Sequence, residues 1–171
     1  MPFLKRQYLQ VLSFFFICCI ILSVIKDMNF FAKTFPELSA REIYEILGAR
    51  MEVFLLEQHI VCLDIDGVDY DSLHVFAMHE GRVEAYFRAF RFEDAVKIGR
   101  VLTRQHGKGL GRKLMEYGID EVIKHFGCEK IVLHSQKHAE GFYKKLGFET
   151  VSDEYIEEGV VHVTMELKIK N

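Results

Sequence analysis

The chain has 171 residues, 50% hydrophobic, with only two prolines and a net charge of −3. That length fits one globular domain of mixed class with room for a real core, which fifteen Phe and seven Tyr supply. The weakly acidic balance argues against a nucleic-acid-binding surface, and Cys18, Cys19, Cys62 and Cys128 spell neither a zinc site nor a disulfide framework, as expected in a reducing compartment.

Residues 11–25, VLSFFFICCIILSVI, form an uncharged apolar run of 15 residues. A spanning helix prefers roughly 20. Lys5 and Arg6 precede the run as in a signal peptide, but no small-x-small cleavage site follows. Residues 1–27 are thus either a membrane anchor, tethering a cytoplasmic domain to the inner face, or a dispensable extension or over-called start. Cleaved export is a distant third. Charges flank the run on both sides, so orientation is not fixed. The segment carries a net +2, leaving residues 28–171 mildly acidic at about −5.

From Met28 the soluble domain begins, and Asn29–Phe35 reads as a first strand ended by Pro36. Ser39 and Glu42 form a capping box, with Leu38 and Ile43 as a hydrophobic staple. The helix behind them carries Ile43, Ile46, Leu47, Met51, Phe54 and Leu55 on one face. Glu57-Gln58 lead into an acidic loop with Asp64, Asp66, Asp69 and Asp71. The EF-hand order is absent, so the loop is expected to attract a cationic amine, or simply to be a solvated turn. Leu73–His79 and Val83–Arg91 read as a hairpin across Glu80-Gly81, with Val83, Ala85, Phe87 and Ala89 on its one buried face. Ala95–Thr103 is the next strand.

Gly107, Gly109 and Gly111 then open a helix from Leu110 to Phe126, closed by Gly127. Strand, glycine turn and helix N-terminus in that order make an anion site. The first helical amides lack internal partners, and the missing Cβ atoms let a phosphate come close. A P-loop is excluded because Arg112-Lys113 follows Gly111. A dinucleotide fingerprint is excluded by the G-x-G-x-G spacing. A glycine-rich loop with no ligand is the bland alternative. Beyond it, Lys130–Ser135 is a buried strand, Lys137–Leu146 a short helix stopped by Gly147, and Phe148–Ile156 with Val160–Leu167 a closing hairpin across Glu157-Glu158-Gly159. Mostly antiparallel strands, two βα units and a last hairpin make an α+β sandwich.

Two stretches carry a family resemblance. His106-Gly107-Lys108-Gly109-Leu110-Gly111 resembles the pyrophosphate loop of the GNAT N-acetyltransferases, Q/R-x-x-G-x-G/A, with His106 where Arg or Gln is usual. Ala139 through Phe142-Tyr143 to Gly147-Phe148 resembles their A-x-x-F-Y-x-x-x-G-F signature. Val53–Gln58, Asp64–Gly67, Ile98–Val101, Gln136, His138, His162 and Met165 are similar to the ElaA-like branch. The resemblance runs from Met28 to about Lys168. It implies a mixed, mostly antiparallel central sheet flanked by helices, here preceded by the apolar segment. It also implies acetyl-CoA as cosubstrate and an amine, on a small molecule or a protein, as acceptor. Attack is direct, in a ternary complex, without metal. Membrane contact would come only through residues 1–27, and a homodimer is compatible with the fold.

The same resemblance assigns roles. The diphosphate sits on the backbone from His106 to Gly111, with Lys108 or Arg112 adding attraction from the rim. The pantetheine arm adds like a strand beside Leu102 and Thr103. Tyr143 is the expected acid, since a phenol is protonated at neutral pH and offers the leaving thiolate a proton or a hydrogen bond. On periodicity alone it is a core aromatic. An alkylammonium must first lose a proton, and Glu57, Glu84 and His162 are the candidate bases. Arg100 fixes either a loop or the acceptor. His134 and His138 flank a strand-to-helix turn and make a poor metal pair. Two rival readings remain: an acyl-CoA-binding sensor or partner module without turnover, and a membrane-anchored scaffold.

Overall fold

The computed structural model describes residues 28–169, so the apolar run and the three readings of it lie outside the described residues. Strand β1 (Asn29–Thr34) leads through a 3-10 turn at Phe35–Glu37 into helix α1 (Ala40–Arg50). Strands β2 (Leu73–His79), β3 (Arg82–Phe92) and β4 (Ala95–Thr103) follow, then α2 (Leu110–Phe126), β5 (Lys130–Gln136) and the short helix α3 (Glu140–Lys144). The chain ends in β6 (Glu149–Thr150), β7 (Tyr155–Glu157) and β8 (Val160–Lys168). These strands form one eight-stranded sheet in the order β1-β2-β3-β4-β5-β8-β6, with β7 on β8. Only the β4–β5 pairing is parallel among the described residues, as α2 must cross over between them.

Local signals in the sequence act as expected. Ser39 Oγ accepts from the Glu42 amide (3.2 Å) and Glu42 accepts from the Ser39 amide (2.8 Å), closing the capping box. Glu80-Gly81 and Glu158-Gly159 both take positive φ, which a tight two-residue hairpin turn of right-handed twist requires.

Both faces of the sheet are covered, which corrects the one-sided reading of β3. On one face Val75 and Phe87 share a cluster with Leu114, Met115 and Val122 of α2, while on the other Phe76, Tyr86 and Leu102 share one with Ile46 of α1, Leu38 and Val53. Glu84, Tyr86 and Arg88 are therefore buried too. A register shift at Ala77/Met78 leaves Glu84 without a cross-strand partner, so Val83 packs under α1 and Ala85 under α2.

Two further expectations change. Helix α1 widens into a π-helical stretch, Met51–Glu57, so its apolar face does not run on to Leu55; Met51, Leu55 and Leu56 are exposed. The strand expected over Phe148–Ile156 is two strands, because Ser152 Oγ takes the Thr164 amide (2.8 Å) and breaks the ladder. No helix among the described residues is long and apolar enough to cross a membrane.

Candidate active site

The parallel pairing of β4 with β5 covers only Val96–Ile98 against Ile131–Leu133. Beyond Ile98 the strands part, so the β5-side edge of β4 from Gly99 to Thr103 is unpaired among the described residues. A bulge drives this divergence. Arg88 lies opposite Gly99 and Tyr86 opposite Leu102, so Phe87 faces both Arg100 and Val101. Arg100 sits at φ +57, the left-handed conformation such an extra residue adopts.

The glycine loop lies just past the open edge. Gly107 (φ +75) and Gly109 (φ +78) take backbone conformations that side chains disfavour. Gly109 caps α2 without any side-chain cap, so amides at the start of this 17-residue helix are left unbonded by side chains. At Gly111 a Cβ would come within 3.2 Å of Thr103 Cγ2, so a larger residue would crowd strand against helix. Leu110 and Leu102 are buried and hold the loop's two ends, with Thr103 half-buried between them.

Side chains of the loop are occupied elsewhere. His106 Nε2 lies 2.7 Å from Glu57 Oε1, Lys108 Nζ donates to Gln105 Oε1 (2.6 Å), and Arg112 Nε donates to Glu116 Oε1 (2.7 Å). The pattern Q/R-x-x-G-x-G/A also fits two residues earlier, as Arg104-x-x-Gly107-x-Gly109, with an arginine at its head. Arg104 is nearly buried and reaches Glu52 (3.1 Å), whereas His106 is exposed.

A cavity of about 510 Å³ opens where the two strands part. Tyr143 lines it from α3 and His162 from β8. The Tyr143 ring packs on Phe142 and Phe148, centroids 5.0 and 5.9 Å away, and burial alone raises its pKa above the ordinary phenol value. No described residue hydrogen-bonds its hydroxyl. His162 Nδ1 lies 2.9 Å from the Val160 carbonyl, which can only accept, so Nδ1 holds the proton and Nε2 keeps a free lone pair. Glu57 and Glu84 do not line this cavity. Glu57 pairs with His106, and Glu84 is buried on β3.

The acidic loop does something other than attract an amine. Arg50, Arg88 and Arg100 meet Asp64, Asp66 and Asp69 in one network, each aspartate shared between two arginines. The Arg88 guanidinium holds Asp66 down to about 2 despite partial burial, and burial opposes but does not overcome the arginines' lowering of Asp69. Asp64 and Asp66 are thus neutralised, and Arg100 fixes the loop through Asp64 (2.7 Å). The arrangement pins the segment after the π-helix to the bulge of β4. No three His, Cys, Asp or Glu converge as a metal site among the described residues.

Sequence reasoning missed one cluster. Lys97 Nζ is 3.3 Å and Glu157 Oε2 3.1 Å from the same atom, His134 Nδ1, and all three residues line the cavity. Alternation along β4 was the available signal, since Lys97 falls between the inward Val96 and Ile98. Tyr155 sits between His134 and His162, with centroids 5.7 and 6.2 Å away. His138 also lines the cavity, and Gln136 bonds Gln58 across it (3.1 Å).

Known proteins are similar to this chain in sequence and fold. Residues 38–169 match the family model described as an acetyltransferase (GNAT) domain. ElaA of Escherichia coli strain K12 is 31% identical over 140 residues, covering 78% of this chain and 92% of ElaA. A UPF0039 protein of Schizosaccharomyces pombe is 33% identical over 150 residues, covering 85% of this chain and all (100%) of its own. Among solved structures, an acyl-CoA N-acyltransferase from Pseudomonas aeruginosa superposes with a TM-score of 0.77 at 31% identity, over 81% of this chain and 98% of that one. The crystal structure of E. coli ElaA gives 0.76 at 30% identity, with the same coverage of 81% and 98%.

Proposed function

Since the chain belongs to the GNAT acetyltransferase family, an acyl-CoA-dependent acyltransferase family, we propose that it moves an acetyl group from acetyl-CoA to an amine by direct attack in a ternary complex. The parting of β4 from β5, with the glycine loop at one end and Tyr143 in the gap, is the observation that carries this reading. Amides from Gly107 to Gly111 take the diphosphate, where backbone and helix dipole favour negative charge. The pantetheine arm follows the open edge at Leu102 and Thr103 as an added strand. Its thioester then reaches the cavity, and the amine enters from the α1 side of the sheet.

His162 fits the base better than Glu57, whose carboxylate is engaged outside the cavity. Its free Nε2 takes a proton from the ammonium, and the Val160 carbonyl keeps the ring oriented. The freed amine attacks the thioester carbon; as the tetrahedral adduct collapses the C–S bond breaks, the departing sulfur carries the electron pair, and the second proton on nitrogen passes to that thiolate, leaving the amide and the free thiol. Tyr143 donates to that sulfur. Burial holds its phenol above the usual pKa near 10, against about 8.5 for a thiol, so it acts chiefly as a hydrogen-bond donor.

Two measurements on the full chain test the reading. Calorimetric titration should show acetyl-CoA binding that is lost in Gly109→Val, a change that strains a left-handed position. Thiol release against an amine panel should show acceptor-dependent turnover. Binding without turnover would instead support the sensor, and no binding would end both readings.

A further inference from the structure

The cluster in the acceptor half of the cavity says more about what the amine is attached to. His134 Nδ1 has two neighbours that cannot both be served. Lys97 Nζ (3.3 Å) only donates, and the ionised Glu157 carboxylate (3.1 Å) only accepts. An Nδ1 lone pair facing Glu157 would repel it at the shorter contact, so Nδ1 carries a proton and donates a hydrogen bond to Glu157. Lys97 then loses its hydrogen-bond acceptor.

Nothing else among the described residues replaces that acceptor. No carboxylate lies within salt-bridge reach of Lys97, and its remaining contact is the Phe92 ring, 5.0 Å from the ammonium. Asp64, Asp66 and Asp69 are each committed to two arginines, so the network beside Lys97 has no carboxylate to spare. Burial weighs most against the Lys97 charge; Glu157, beyond salt-bridge reach, favours it through space, and Arg100 and Arg88 push against it. A half-buried ammonium with unmet donors, facing a cavity, is a receptor for an anion.

We propose that the acceptor bears a carboxylate near its amine and that Lys97 binds it, which makes amino acids the substrate class. The opposite charge also finds a place. Glu157 and the exposed Glu158 at the same cavity draw the ammonium end, beside the His134–Tyr155–His162 layer. The inference rests on the acyl-transfer reading of the same site, and the test separates the two.

Proteinogenic α-amino acids and their C-terminal amides are titrated into the full chain, with and without coenzyme A, and the thiol-release assay is run on the same pairs with acetyl-CoA. At least one acid should bind about 10- to 100-fold tighter than its amide, the loss expected for a hydrogen bond to a charged group. Lys97→Met should abolish that preference while leaving the affinity for acetyl-CoA unchanged, and Lys97→Arg should restore most of it. Equal binding of acids and amides, or a preference that survives Lys97→Met, overturns the proposal. Failure of coenzyme A to bind would overturn the acyl-transfer reading, and the acid-to-amide ratio without it still judges Lys97.

Discussion

Replacing Tyr143 by Phe removes one oxygen and little else. The ring's contacts with Phe142 and Phe148 remain, and the hydroxyl has no partner among the described residues, so no buried group is orphaned. Stability should therefore shift by less than about 0.5 kcal/mol. A hydrogen bond to a charged atom contributes about 1.5–3 kcal/mol. If that bond forms only as the thiolate departs, kcat should fall about 10- to 150-fold. Affinity for acetyl-CoA, carried by backbone amides and the β4 edge, should stay within about twofold. The assay is steady-state thiol release alongside calorimetric acetyl-CoA titration, with thermal unfolding as the folding control. Because burial raises the phenol's pKa, no loss of activity assignable to Tyr143 should appear up to about pH 10. A variant with kcat within twofold of the parent, or one losing kcat and donor affinity together, would refute the assignment.

Two other predictions concern the scaffold. Gly118 on α2 lies so close to β3 and β2 that a Cβ would fall 2.3 Å from Phe87 Cζ and 2.9 Å from Val75 Cγ1. Gly118→Ala gains up to about 1 kcal/mol of helix propensity but overpacks two fully buried side chains at about 1–3 kcal/mol. A net loss of about 1–2 kcal/mol is expected, read as a lower urea midpoint at constant m; unchanged or increased stability would contradict the close approach. Acid unfolding should begin early. His74 is buried neutral, with Nε2–H donating to the Asp69 carbonyl and Nδ1 accepting from Tyr86, both at 2.9 Å. Its pKa is lowered chiefly by burial. The unfolded chain thus takes that proton first, and stability falls as pH drops below about 6.5. A second loss follows between about pH 4 and 2, as the lowered Asp66 and Asp69 are forced to protonate. For Asp66, held at about 2, this is about 2 kcal/mol before solvent screening and nearer 1 after it, since its side chain is 28% exposed. Asp66→Asn should flatten the lower part of a stability–pH curve only, and a curve flat from pH 7 to 3 would refute both assignments.

Local chemistry was legible because each decision involves residues a few positions apart. Ser39 and Glu42 close a box over three residues, Glu80-Gly81 and Glu158-Gly159 select their turns, and Gly107 and Gly109 need only their own φ. Side-chain alternation likewise reveals which face of a strand a residue occupies. It cannot reveal what lies across from it. Lys97 meets His134 from 37 residues away and His134 meets Glu157 from 23, through a register that β4 and β5 hold for three pairs before parting. Arg100 reaches Asp64 across 36 residues only because a bulge turns it aside, and neither neighbour, Gly99 nor Val101, announces that extra residue. Three of the loop's four aspartates, Asp64, Asp66 and Asp69, looked free to draw in an amine for the same reason: their arginines came from α1, β3 and β4. In this site, charge is assigned by what the break in the sheet brings together. The cation left over after that pairing is the one with chemistry still to offer.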